Sequence, residues 1–217
     1  MDSLKRAIRG GLCQFGLGRR LVYSLSLCSY LEEKGWLQSR SRSLPLDTAG
    51  SPMPWYTYPF IAFIGPRVHA GMSVFEYGSG NSTLWWAARV SLVLACEHDR
   101  SWYERTKVKL PQNAEYIFCP LNTDGRYSEM CVSCGSKYDC IVIDGRARNE
   151  CAKHSIKALK EDGVIIWDNS DRAKYQEGYD FLADAGFKRL DFWGLGPINP
   201  YEWCTSVFYR EDNCLGI

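Results

Sequence analysis

From residue 72 onward the chain alternates between two hydrophobic periods. Runs that are apolar at nearly every position occupy 72–77 (MSVFEY), 91–97 (SLVLACE), 114–119 (AEYIFC), 138–144 (YDCIVID) and 163–168 (GVIIWD). Short apolar runs of this length predict strands buried on both faces. The intervening stretches 82–89, 101–110, 149–159 and 173–185 predict helices; Pro111 stops the second and Gly186 closes the fourth. Strands alternating with helices predict a mostly parallel sheet covered on both sides. Two further strands are predicted at 187–193 and 205–210, separated by a stretch punctuated by Gly194, Gly196, Pro197 and Pro200. No helix fits between them, so this pair has to run antiparallel or sit apart. The expected fold is α/β: a doubly wound, mostly parallel, seven-stranded sheet with a C-terminal antiparallel hairpin.

Upstream, residues 1 to about 37 read as helical pieces and 39–54 as a connecting loop rich in Ser, Pro and Gly. A helix is expected from Pro54 to about His69. This divides the chain into a helical N-terminal extension and cap, 1–70, and a core domain, 71–217.

Composition changes this picture little. The 217 residues are 46% hydrophobic and 24% charged with a net charge of +1, enough for a sizeable core and too neutral for a nucleic-acid-binding surface. The ten cysteines are scattered, and Cys96, Cys119 and Cys140 fall inside apolar strands, where a thiol behaves as a small hydrophobe. No secretory signal is seen: the apolar run 21–31 contains Ser24, Ser26 and Ser29, with no cleavage site after it. A reduced, cytoplasmic setting is expected. Cys131 and Cys134 form a lone CxxC pair; with only His69, His98 and His154 in the chain, a zinc or redox site is not expected there.

No apolar stretch reaches the ~18 residues a membrane span requires. The first twenty residues carry Lys5, Arg6, Arg9, Arg19 and Arg20 against Asp2 alone. A basic helix there is able to rest on an anionic membrane, but Gly10, Gly11, Gly16 and Gly18 interrupt the pattern and favour an ordinary helix packed on the domain.

The chemistry concentrates in 74–86, VFEYGSGNSTLWW. A carboxylate, Glu76, lies inside a buried strand. The chain then bares its backbone at Gly78 and Gly80 before a helix that Ser82 and Thr83 are placed to cap. Ligands in doubly wound sheets sit beyond such strand ends. The run Gly78-Ser79-Gly80-Asn81-Ser82-Thr83 lacks the third glycine of the dinucleotide fingerprint, while Glu97 ends the next strand, where an acid accepts ribose hydroxyls.

"FEYGSGNST" followed by "ACEHD", together with "YDCIVIDG", "GVIIWDNSDR" and the terminal hairpin, resembles class I S-adenosylmethionine-dependent methyltransferases over about 72–210. With "GWLQS" and "PMPWYTYPF" the chain looks like a bacterial group of that superfamily with no assigned substrate. The resemblance implies a Rossmann-like methyltransferase fold and S-adenosylmethionine as cofactor. The donor site implied is Glu76, Tyr77, Gly78, Ser79, Gly80, Asn81, Ser82, Thr83, Glu97, His98 and Asp144. Glu76 would hold the ammonium region, the glycines would pass under methionine and ribose, Glu97 would take the ribose hydroxyls, and His98 or Trp102 would flank adenine.

Asp144 and the pair Asp168-Asn169 end neighbouring strands, and hard oxygen donors suit Mg²⁺. The arrangement is similar to that of metal-dependent O-methyltransferases of the catechol and caffeoyl-coenzyme A type, which implies Asp144, Asp168 and Asn169 as metal ligands. Alternatively, Asp168-Asn169 caps a helix and Asp144 serves the cofactor alone. The lysine base of the catechol-type enzymes is replaced here by Gly145-Arg146-Ala147-Arg148, and arginine is not a base at neutral pH. Candidate bases are Asp144, His98 and His154.

The expected acceptor is a small hydroxylated molecule such as a saccharide; the aromatic segments 54–59 and 194–203 either form a lid over the cleft or, the favoured reading, simply pack; no nucleic acid is expected. The rival readings are an NAD-linked oxidoreductase and a non-catalytic module that keeps the fold.

Overall fold

The computed structural model describes residues 16–122 and 124–217. Strands β1 (Ser73–Tyr77), β2 (Leu92–Glu97), β3 (Ala114–Phe118), β4 (Tyr138–Ile143) and β5 (Leu159–Asp168) pair in parallel. Strands β6 (Lys188–Gly194) and β7 (Trp203–Tyr209) form the antiparallel ending, with β7 inserted between β5 and β6. The seven-strand order is β3-β2-β1-β4-β5-β7-β6. Its direction of winding reverses between β1 and β4, so the chain's switch point lies beyond Tyr77 and Ile143.

The helices are α1 (Gly16–Glu33), α2 (Trp36–Arg42), α3 (Tyr58–Ile64), α4 (Asn81–Ala87), α5 (Arg100–Lys107), α6 (Arg126–Ser133), α7 (Arg148–Ala158) and α8 (Gln176–Asp184). Two apolar layers sandwich the sheet. On one face Phe75, Tyr77, Ile141, Ile143, Trp167 and Phe208 meet Tyr127 and Cys131 of α6 and Cys151 of α7. On the other, Val74, Val142, Ile166 and Val207 meet Phe60 and Ile64 of α3 and Trp86 of α4. Because side chains alternate along a strand, Glu76 shares the face of Val74. That leaves a carboxylate in an apolar layer, beneath α4.

Several boundaries depart from expectation. Helix α6 was not anticipated; its Tyr127, Met130, Cys131 and Cys134 do recur at helical spacing, and Gly125 at φ +86° starts it. The helix expected over 54–69 shortens to α3 plus a 3-10 turn, Gly65–Arg67. The one expected over 173–185 divides into a 3-10 turn, Ala173–Tyr175, and α8. Helix α2 takes the first residues of the expected loop 39–54. Cys131 is buried in α6 and Cys134 caps it, both as free thiols, and burial pushes Cys131 up to about 11. Among the described residues no helix is long and apolar enough to cross a membrane. Lys5, Arg6 and Arg9, which carry much of the basic N-terminal pattern, lie outside the described residues.

Candidate active site

Gly78 adopts φ +97° and Gly80 φ +150°, conformations that side chains disfavour. A Cβ on Gly78 would stand 3.2 Å from the carbonyl oxygen of Asp144, and one on Gly80 3.3 Å from the Trp102 ring. The turn after β1 therefore lies directly against the turn after β4. The Gly80 N–H donates to Thr83 Oγ1, and Thr83 Oγ1 donates in turn to Glu76 Oε2. Glu76 is fully buried, and its other oxygen, Oε1, has no hydrogen-bond partner. Burial pushes its pKa up to about 8, against hydrogen bonds from Ser82 and Thr83. An unpaired carboxylate oxygen costs about 1–3 kcal/mol or more when desolvated. Its survival in the core marks a place where a donor is missing.

Glu97, at the end of β2, is tied differently. Oε1 accepts the backbone N–H groups of His98 and Asp99, each at 2.8 Å, and Oε2 accepts Ser79 Oγ at 2.8 Å. A carboxylate oxygen has room for a second donor, so Oε2 keeps one acceptor site. Tyr116 closes the group, its hydroxyl 2.5 Å from Ser79 Oγ. Trp102 Nε1 donates to the Ser79 carbonyl at 2.8 Å. The His98 ring stands edge-on to Tyr127, with Nδ1 2.9 Å from Glu97 Oε1. Two expected residues offer only backbone at the turn: the Tyr77 hydroxyl is buried on the Ser128 carbonyl, and the Asn81 amide is bound to the Pro45 carbonyl.

The second half of the cleft lies beyond β4 and β5. A cavity of about 540 Å³ is lined there by Trp55, Asp144, Asp168, Asn169, Asp171, Arg172, Asn199, Tyr201, Glu202 and Trp203. The structure thus brings Asp144, Asp168 and Asn169 together. Between the two acids sits Arg148, the first residue of α7, 6% exposed. Its Nη2 bonds Asp144 Oδ1 at 3.0 Å, its Nε bonds the Gly145 carbonyl at 2.9 Å, and Nη1 reaches the Asp168 carbonyl. Asp168 Oδ1 accepts Thr205 Oγ1 at 2.7 Å and Trp203 Nε1 at 2.9 Å. Burial, with repulsion from Asp144 added, lifts Asp168 to about 7, against the pull of Arg148. Asp144 is also raised by burial, again opposed by Arg148.

Asp144, Asp168 and Asn169, the expected metal ligands, line this cavity together. One oxygen of each acid is already occupied, and a guanidinium supplies the positive charge. Among the described residues no group of three or more His, Cys, Asp or Glu side chains is placed to hold a metal. Sequence reasoning did not anticipate Tyr116, Arg148 as an internal cation, or the grip of Trp203 and Thr205 on Asp168. His154 lies further along α7 and does not line the cavity.

No protein-family profile matches the chain, and no curated protein matches it. Solved structures do. A precorrin-6y C5,15-methyltransferase from Geobacter metallireducens is 12% identical over 69% of this chain and 86% of its own, with a TM-score of 0.55. An rRNA methylase from Streptococcus thermophilus is 14% identical over 69% and 93%, TM-score 0.53. SMU.1697c, a putative methyltransferase from Streptococcus mutans solved in complex with SAH, is 13% identical over 68% and 94%, TM-score 0.51. The antiparallel β6–β7 ending on an otherwise parallel seven-stranded sheet, with these neighbours, gives the chain the fold of the class I S-adenosylmethionine-dependent methyltransferases.

Proposed function

We propose that this protein transfers a methyl group from S-adenosylmethionine to a small hydroxylated acceptor, a saccharide being the class expected. The observation that carries the reading is Glu76: a buried carboxylate with one oxygen unpartnered, beside a turn whose two glycines leave the backbone bare. A ligand ammonium is the donor that oxygen lacks. The fold neighbours support the same ligand, one of them having been solved with SAH.

In this reading Glu76 accepts the ammonium, with Thr83 holding the carboxylate in place. Gly78, Ser79 and Gly80 let the ligand approach the backbone. Glu97 offers the remaining acceptor site of Oε2 to a ribose hydroxyl, and His98 and Trp102 flank the base. When bound, the cofactor supplies a methyl group activated by a sulfonium. The chain's own task is then orientation and proton acceptance. We assign proton acceptance to the Asp144–Asp168 pair, which faces the cavity and titrates near neutrality through Asp168. Arg148 holds Asp144 in position. His98, a second candidate base, does not line the acceptor cavity and is assigned to the nucleoside side. Trp55 and Tyr201, both exposed at the rim, offer aromatic faces to a sugar ring. No step is routed through a metal.

A second reading is favoured by the cavity's charge: Asp144, Asp168, Asp171 and Glu202 outnumber the lining Arg172 and the buried Arg148 bonded to Asp144. Such a lining also suits a cationic amine held against aromatic faces. Methyl transfer to a panel of sugars and a panel of amines separates the two. Titration calorimetry with S-adenosylmethionine tests the common premise; no binding would leave a fold retained without the chemistry, and preferential NADH binding would support the oxidoreductase reading.

A further inference from the structure

We propose that α1 seats this protein on an anionic lipid surface. Residues 21–31 of α1, LVYSLSLCSYL, carry no charge, and Arg20 and Glu32 bound the tract. Leu21, Tyr23, Leu25, Leu27 and Tyr30 are 46–63% exposed, and Val22 alone in the tract is buried. At 100° per residue, Leu21 and Leu25 lie on one side of the helix and Tyr23, Leu27 and Tyr30 on the opposite side. The intervening polar groups turn inward: Ser26 Oγ bonds the Val22 carbonyl at 2.9 Å and Ser29 Oγ the Leu25 carbonyl at 3.0 Å. A helix apolar on opposite sides belongs in an apolar medium, yet most of this tract is exposed among the described residues.

The helix expected over the first twenty residues lies mostly outside the described residues, and the exposed tract at 21–31 favours lipid over a second copy. Pairing with one other helix covers one side and leaves the opposite side in water, whereas acyl chains surround the helix. Eleven residues extend about 16 Å, roughly half of a hydrocarbon core, which suits insertion into one leaflet and not a span. Charge adds direction. Residues 1–20 hold five basic side chains and one acidic, a net +4; the whole chain is +1, so residues 21–217 carry −3. An anionic surface attracts the start of α1 and repels the rest, at about 1 kcal/mol per basic residue near the surface. Tethering by one apolar segment plus a basic cluster satisfies the usual need for two signals.

The helix is also well connected. Gly35, at φ +75°, links α1 to α2, and a Cβ there would stand 2.5 Å from the Leu46 carbonyl oxygen. In α2, Trp36 Nε1 and Arg40 Nη1 donate to the carbonyls of Asn199 and Ile198, each at 3.0 Å. Asn199 lines the acceptor cavity.

The test is co-sedimentation of the full chain with phosphatidylcholine vesicles, with and without phosphatidylserine, at low and at ~1 M salt, where screening shortens to ~3 Å. The expected result is binding to the anionic vesicles that weakens with salt. The double variant Leu25→Glu/Leu27→Glu should lower partitioning by tenfold or more with an unchanged melting temperature, since both side chains are exposed. Arg19→Glu/Arg20→Glu should reduce binding to anionic vesicles only. A wild-type protein left in the supernatant by both vesicles overturns the proposal. So does binding that ignores both double variants, or a lipid-free dimer that the leucine variant dissolves.

Discussion

The two halves of the cleft handle buried charge in opposite ways. In β1, Glu76 is buried with an oxygen unpartnered. Beyond β4 and β5, Asp144 and Asp168 are also raised by burial, yet each has its partners: Arg148 for Asp144, Thr205 and Trp203 for Asp168. One half leaves a buried acceptor oxygen without a partner; the other carries its own cation. The comparison teaches that residue type alone does not mark a binding site. Four acids, Glu97, Glu76, Asp144 and Asp168, stand near the ends of adjacent strands, and among them Glu76 has the buried oxygen without a partner.

Removing the internal cation should have the largest effect. Arg148→Ala leaves two acids facing each other without compensation and should destabilise the fold by about 3–5 kcal/mol in urea melts at pH 8. The loss should shrink below pH 7, where Asp168 takes up its proton. A loss under about 1 kcal/mol would mean that the second half is not held by its own charge.

Glu76→Gln should separate stability from function. In the folded chain Glu76 keeps its proton up to about pH 8, against an ordinary value of 4.5. Its raised pKa therefore lowers stability progressively as pH rises from about 4.5 to 8, because the folded state binds the extra proton. Gln removes that penalty and should stabilise the unliganded protein at pH 8 by on the order of 2–4 kcal/mol. The same change should weaken S-adenosylmethionine by ~30-fold or more, the worth of a charged hydrogen bond. Calorimetry and thermal melts on one preparation read both signs; parallel losses would place Glu76 among purely structural groups.

Gly80→Ala should cost about 1–3 kcal/mol, through φ and the Trp102 ring, and weaken the donor as well. Trp55→Ala should leave donor affinity unchanged and raise acceptor KM several-fold. At the small end, EDTA should change neither melting temperature nor turnover, since Arg148 supplies the charge between the acids; a Mg²⁺-dependent rise in either would restore the metal reading of Asp144, Asp168 and Asn169.

Much of this was legible in the sequence because the strands are buried on both faces and read as continuous apolar runs. The antiparallel ending followed from a connection too short and too rich in Gly and Pro for a helix. The Glu76–Gly80 turn and Glu97 stood out as polar or flexible residues inside that pattern. What stayed hidden depends on contacts distant in sequence. Thr205 reaches Asp168 through the β5–β7 register, which no local pattern encodes. Tyr116 meets Ser79 only because β3 and β1 flank β2. Arg148 stayed hidden because arginines commonly stay near solvent; its inward turn follows from its place at the start of α7, between two strand-end acids. Helix α6 hid in a segment whose helical spacing spans barely two turns.

The central claim is that Glu76 and its glycine turn hold S-adenosylmethionine. The most direct measurement is a thermal melt of the wild-type chain and of Glu76→Gln, each with and without S-adenosylmethionine and, separately, NADH. At about 100 times its Kd, a ligand stabilises by roughly 2.7 kcal/mol, a shift of several degrees for a domain of this size. The account predicts that shift for the wild type with S-adenosylmethionine, little or none for the variant at the same concentration, and none with NADH. A wild type indifferent to S-adenosylmethionine, or a variant that responds as fully as the wild type, would contradict it.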